Sequence, residues 1–256
     1  MRTLFFVLAF FTVSASIALA DKPAAAAPRP HVAVMVSDDH YKADTLLPPL
    51  LEKMAEKNDW QLTVLHGKGG SDFPNIAALE TADVLIVFVR RLALPKKQLA
   101  AVKKYVASGR GVIGLRTASH AFEMKGKIPD GCENWPGFDR DVLGGNYHNH
   151  GKDALGSDIA NVAEQADSPI LRGVTPAKWH STGSLYFTGP LATGATVYQT
   201  AGSPERPNEP LTWTRMHGKT RVAYTALGHP DDYKEPAFRQ LLENLIRWAM
   251  EKEVRP

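Results

Sequence analysis

Four short runs in this chain combine the residue types that move protons and bind oxygen: Asp38-Asp39-His40-Tyr41, Arg116-Thr117-Ala118-Ser119-His120, Gly144-Gly145-Asn146-Tyr147-His148-Asn149-His150 and Gly228-His229-Pro230-Asp231-Asp232-Tyr233. An imidazole titrates near neutrality, so His120 and His229 are candidate general acid–base groups. His148 and His150 form an H-x-H pair, which sets both rings on one side of an extended chain. With a third ligand from His120, His229, Asp231 or Asp232, the pair can hold a divalent metal such as zinc. The competing use is as loop histidines that hydrogen-bond backbone or a substrate hydroxyl. Asp38 and Asp39 can bind substrate hydroxyls or cap the local turn. Trp135, Tyr147, Trp213 and Tyr233 supply aromatic faces, whose alternative use is core packing. Such faces beside carboxylates, Asn and His suit a sugar: the apolar side of the ring stacks and the polar groups fix its hydroxyls.

Other chemistries find less support. Cys132, the one cysteine, sits in the loop PDGCENW rather than in the sharp turn after a strand, so a Cys-dependent amidotransferase is not expected. Ser119 lacks the G-x-S-x-G context of a nucleophile elbow. Gly67-Lys68-Gly69-Gly70 fits neither phosphate-binding glycine pattern, so no nucleotide is expected. The 30 basic and 27 acidic residues are interspersed, with a formal charge of +3, so there is no basic stripe for nucleic acid.

The elements that must position these runs follow from periodicity. Buried strands are predicted at His31–Ser37, Trp60–His66, Asp83–Val89 and Gly111–Leu115, with helices at Thr45–Lys57, where Asp44 caps, and at Leu94–Ser108. Pro74–Glu80 reads as a short helix. The lysines of Leu94–Ser108 read as a solvated face. Strand and helix alternation at this spacing implies a parallel sheet with helices on both faces, and ligands bind beyond the carboxyl ends of such strands. Residues 122–157 lack periodicity and read as a long functional loop. Short strands follow at Ile159–Glu164, Leu185–Thr188 and Thr196–Thr200. A hairpin then joins Leu211–Met216 to Arg221–Ala226, and a last helix, Glu235–Lys252, turns Phe238, Leu241, Leu242, Leu245, Ile246 and Trp248 inward.

Residues 1–20 read as a signal peptide: Arg2, an apolar run, then Ala18-Leu19-Ala20 as cleavage site. Residues 21–30 read as an Ala/Pro linker and 31–252 as a single α/β domain. The protein is expected to be exported, periplasmic or secreted, with no membrane span after cleavage.

The blocks GVIGLRTASHAF, NWPGFDRDVLGGNYHNH, PLTWTRMHGKTRVAYTALGH and FRQLLENLIRWA, in this order, resemble the ThuA-like (trehalose utilisation) family. The resemblance spans roughly residues 31–250. It implies a flavodoxin-like fold similar to the class I glutamine amidotransferases: a doubly wound, mostly parallel sheet without the amidotransferase Cys. It also implies a role in carbohydrate metabolism, and it carries the family's polar groups onto His120, Tyr147, His150 and His229, with Trp213 in the third block. Two positions depart from the family pattern. Arg116 stands where many members have His, and Gly183-Ser184 stands where many have an acidic pair.

Together these readings predict an exported enzyme that acts on a small-molecule carbohydrate, a sugar or keto-sugar derivative, by isomerisation, elimination or hydrolysis. His120 and His229 are its expected catalytic groups. Asp38, Asp39, Arg116, Trp135, Tyr147 and Trp213 are its expected substrate contacts, with a divalent metal at His148 and His150 as possible assistance. The alternative is a non-catalytic carbohydrate-binding protein, for which Arg116 in place of a titrating His is the better fit.

Overall fold

The computed structural model describes residues 28–68 and 71–251. The expected signal peptide, most of the Ala/Pro linker, Gly69 and Gly70 lie outside the described residues.

Two buried, mainly apolar runs found the architecture. In β1 (His31–Ser37) and β3 (Val84–Val89) successive side chains are buried, as befits strands covered on both faces. With β2 (Gln61–His66), β4 (Gly111–Leu115), β5 (Ser157–Asn161), β6 (Lys178–Ser181), β7 (Thr196–Ser203), β8 (Arg206–His217) and β9 (Thr220–Thr225) they form one sheet in the order β2-β1-β3-β4-β9-β8-β7-β5-β6. The pairings from β2 through to β9 are parallel, and those beyond β9 are antiparallel.

Strand order reverses between β1 and β3. From β1 the chain passes through α1 (Ala43–Asn58) to β2; from β3 it passes through α2 (Lys96–Ala107) the opposite way to β4. Right-handed crossovers in opposite directions place these helices on opposite faces. The last helix, α3 (Pro236–Ala249), lies beside α1: Lys57 Nζ reaches Glu243 Oε2 at 3.0 Å, and the Arg247 guanidinium sits 5.6 Å from the Trp60 ring. The flavodoxin-like arrangement is therefore present, extended by an antiparallel ribbon.

Local details differ from the sequence reading. Helix α1 begins two residues early, behind Lys42 in the left-handed region, and Asp44 accepts the Asp38 N–H instead of capping. Leu94 and Pro95 pair with Glu133 and Cys132 rather than joining α2. Strand β6 was not foreseen: Lys178–Ser181 alternates too weakly to signal an edge strand. In residues 122–157, a π-helical turn at Phe138–Leu143 and short ladders support an otherwise irregular path.

Candidate active site

The loops after β1, β3 and β4 meet at the carboxyl edge of the sheet, at the point where strand order reverses. They enclose a cavity of about 190 Å³ lined by His40, Tyr41, Arg90, Arg91, His120, Tyr147, His150, Asp153 and Tyr186. That is room for about six water volumes, below the usual range for drug-sized ligands. A larger groove, about 610 Å³, runs between Ile76–Glu80 and α2 at the opposite edge. Aliphatic side chains, lysines, Glu80, Tyr105, Ser108 and Arg110 line it, with no histidine among them, so chemistry rather than volume selects the smaller cavity.

The floor is built by the turn after β4. Gly114 lets it fold back: a Cβ there would lie 2.9 Å from Tyr224, 3.0 Å from Leu143 and 3.1 Å from Ala118. The next residue but one, Arg116, takes φ 41° at the strand-to-helix corner, where related folds place a nucleophile. Its side chain is buried. The guanidinium lies 4.2 Å from the Tyr41 ring centroid and 4.5 Å from that of Tyr186, a cation between two aromatic faces. Nη1 donates to Ala226 O at 2.8 Å, and Nη2 donates to Ser184 O and Oγ at 3.4 and 3.3 Å. Burial opposes the charge, but the two tyrosines and the Asp232 carboxylate outweigh it and raise the pKa above the ordinary arginine value. Arg116 therefore stands behind the cavity wall and does not line it, contrary to its expected role as a substrate contact.

Gly183 and Ser184 are the other half of this arrangement. A Cβ at Gly183 would meet His229 Cβ at 2.8 Å and Arg116 Nη1 at 3.2 Å. Arg116 and the Gly183-Ser184 pair are thus in contact: Arg116 and His229 fill the space that side-chain atoms at 183 would need.

His120 ends the same turn and is nearly fully buried. Its ring packs on Tyr147, with centroids 4.7 Å apart. Ser119 Oγ donates to Arg116 O at 3.2 Å, so the Ser119 oxygen accepts from His120 Nδ1 at 3.1 Å. This leaves Nε2 as the unprotonated nitrogen, open to the cavity. Burial first, then the charges of Arg91, Arg90 and Arg116 and the neighbouring His150, push the His120 pKa down to about 3. The ring is neutral at pH 7, and the near-neutral titration expected of it does not hold.

Tyr147 is pinned from below by Asp139, whose Oδ2 accepts the Tyr147 N–H at 2.8 Å. Asp139 is buried, its Oδ1 has no partner, and burial raises its pKa to about 7 against the pull of that N–H, with Glu123 adding to the rise. Burial likewise raises the Tyr147 pKa, while Arg91, Arg116 and Arg90 work the other way.

His150 lines the cavity from its rim, its Nδ1 bonded to Gly151 O at 2.8 Å. His229 does not line it but lies one ring away, 6.1 Å from the Tyr41 centroid. Thr182 Oγ1 donates to Asp231 Oδ2 at 2.8 Å and accepts from His229 Nδ1 at 2.9 Å, which forms an Asp231–Thr182–His229 chain. Burial and Arg116 lower the His229 pKa, against the three nearby aspartates Asp232, Asp231 and Asp153. His148 turns to Asn146 O and Phe187, outside the cavity. Among the described residues no three His, Cys, Asp or Glu side chains are grouped to hold a metal ion, so the H-x-H pair finds no third ligand.

The remaining expected contacts lie elsewhere. Asp38 is turned inward as a cap: it accepts the Tyr41 N–H at 3.1 Å and the Thr117 hydroxyl at 2.8 Å, and burial raises its pKa. Asp39 is exposed. The loop expected to offer these carboxylates offers His40 and Tyr41 instead. Trp213 is core, its Nε1 donating to Leu143 O at 2.8 Å and its ring 4.4 Å from Tyr224. Trp135 packs on Phe122 and Phe138 under Lys103. In aromatics packed in or against the core like these two, packing wins over ligand stacking. Cys132 lies in its short ladder with Pro95, away from the cavity lining.

Arg90 and Arg91 escaped the sequence reading, although a signal was available. Two arginines directly after the all-apolar β3 occupy the same strand-end position that drew attention to Asp38 and Arg116.

Comparison with known proteins agrees with this architecture. The family model ThuA, described as trehalose utilisation, matches residues 32–249. A ThuA-like protein from Bacteroides uniformis superposes with a TM-score of 0.66 at 17% identity, covering 91% of this chain and 96% of its own. One from Parabacteroides merdae gives 0.60 at 15%, covering 90% and 93%. A β-galactosidase from Bacillus circulans gives 0.56 at 16%, covering 88% of this chain but 32% of that enzyme. At these identities the likeness concerns the fold. Among the curated proteins none matches.

Proposed function

Since the chain belongs to the ThuA family, and so to carbohydrate metabolism, we propose that it is an enzyme acting on a small sugar or keto-sugar derivative bound in the cavity at the β1/β3 switch point. The observation that carries this reading is His120: a neutral imidazole with Nε2 free, facing a polar cavity beside a tyrosine hydroxyl and two guanidinium groups. Such an acceptor takes a proton from a hydroxyl, or from carbon beside a keto group. The hydroxyl of Tyr147, whose ring packs on that of His120, then stabilises the oxyanion that develops. His229, held by Thr182 and Asp231, is the second proton-handling candidate. Isomerisation, elimination and hydrolysis all need these parts.

The test is turnover of oxidised and unmodified mono- and disaccharides, followed by mass spectrometry. His120→Gln and His229→Ala are each expected to lower turnover at least tenfold with the circular dichroism unchanged. Full activity in both variants contradicts the assignment.

One observation favours a second reading, carbohydrate binding without reaction. The strand-end corner carries Arg116 and no nucleophile, and His120 is a weak base. Calorimetric binding without product from any bound sugar would establish it. We further propose that residues 1–20 direct export; N-terminal sequencing of the mature protein is expected to begin at Asp21, and an intact Met1 in the secreted or periplasmic fraction contradicts it.

A further inference from the structure

Arg90 and Arg91 are set apart by lining the cavity without a carboxylate partner of their own. Lys57, Lys152, Arg206 and Lys234 each reach a carboxylate at 3.0 Å or less. Among the described residues neither Arg90 nor Arg91 makes an ion pair or a side-chain hydrogen bond. Their backbone is fixed on both sides: Arg90 N donates to Ser37 O at 3.1 Å, and Arg91 N donates to His120 O at 3.1 Å, with Arg91 at φ 52°. Both side chains line the cavity, where Asp153 is the one carboxylate. The third guanidinium, Arg116, is committed to Ala226 and Ser184 behind the tyrosines and adds charge without reaching in.

We propose that the cavity selects sugar derivatives bearing an anionic group, a carboxylate or a phosphate, and that Arg90 and Arg91 hold that group. This rests on the sugar reading above and names its substrate class. An unpaired guanidinium fork matches two oxygens of a carboxylate or phosphate and forms short charge-assisted bonds. A pair of exposed arginines is ordinarily just solvated. Here the pair converges on a concave site from a braced backbone, and its charge reaches both His120 and Tyr147. An anion between the arginines cancels their share of the effect that, after burial, lowers the proton affinity of His120, so the charged substrate itself makes the ring a stronger base.

The experiment is nuclear magnetic resonance of the His120 ring nitrogens in the full chain, with calorimetry, using inorganic phosphate, D-glucuronate, D-glucose 6-phosphate and D-glucose. Phosphate and at least one charged sugar are expected to shift His120 and raise its pKa by one unit or more. That charged sugar should bind at least tenfold tighter than glucose, and which of the two it is distinguishes carboxylate from phosphate. Arg90→Gln/Arg91→Gln should remove the preference; Arg90→Gln alone, at an exposed position, should weaken it while keeping the fold. If phosphate binds as tightly as either charged sugar, the anion grip holds and the sugar reading fails. If glucose binds as tightly as the charged sugars, the sugar reading holds and this inference is overturned. Absence of any anion effect on His120, or an equal effect in the double variant, also overturns it.

Discussion

Arg116 combines a left-handed backbone, full burial and a permanent charge, three features that each carry a cost for an ordinary residue. Two ring faces and its hydrogen bonds to Ala226 and Ser184 offset them. Replacing it by histidine removes the sandwich and leaves a void beside Gly183. Arg116→His is expected to lower the unfolding free energy by about 3 kcal/mol in urea, from charged hydrogen bonds and cation–π contacts; unchanged stability would mean that the cage does not hold the turn. Two further buried groups set opposing pH dependences. His120 has a folded pKa below its unfolded value, so from about pH 6.5 down to about 3 only the unfolded chain gains the proton, and stability falls with acid. Asp139 has a folded pKa of about 7, above its unfolded value, so between about pH 4 and 7 only the folded chain holds the proton, and stability falls as pH rises. Each slope is about 1.4 kcal/mol per pH unit at most. Asp139→Asn should therefore gain stability relative to the parent between pH 5 and 7, whereas His120→Gln should gain from pH 7 to 5. Denaturation at the two pH values checks both signs, and parallel curves for parent and variant would contradict the corresponding assignment.

At the scale of elements, the turn Arg116–His120 depends on β4 being thin at its centre. Gly114→Ala brings a methyl against Tyr224, Leu143 and Ala118, all rigid and buried. Overpacking of this kind costs about 1–3 kcal/mol, and the displaced turn should weaken ligand binding through His120 as well. An alanine variant with parent-like stability and binding would show that the turn does not need the glycine. The parallel strands were legible because an all-apolar run bounded by polar loops has few alternative uses; His31–Ser37 and Gly111–Leu115 emerge with the bounds expected of them. The edge strand at Lys178–Ser181 was not legible, because its pairing with β5 is a tertiary event that its own residue pattern does not encode. Helix α1 also shows the limit of local rules. Asp44 has the composition of a cap, yet the tertiary fold uses it on Asp38 N.

For the whole molecule, the doubly wound topology could be read from strand and helix alternation, and the location of the site followed from topology: beyond the carboxyl ends of β1, β3 and β4. The membership of the site was less legible. His120, Tyr147 and His150 meet in one cavity, but His148 turns away, and Trp213 and Trp135 serve the core because an aromatic near polar groups in sequence need not be near them in space. Asp38 and Asp39 were legible as strand-end carboxylates. Which neighbour of a turn points inward is decided by hydrogen bonds such as Thr117 to Asp38, between residues far apart in the chain.

The central claim is that this cavity, and not the wider groove beside α2, is where a sugar derivative binds. The most direct measurement is a crystal structure of the full chain with the sugar derivative that calorimetry shows to bind most tightly. Ligand density is expected between Arg91, His120 and Tyr147, with an oxygen in hydrogen-bond range of His120 Nε2. Density in the groove lined by Lys97 and Lys104, with the cavity at β1 and β3 unfilled, would contradict it.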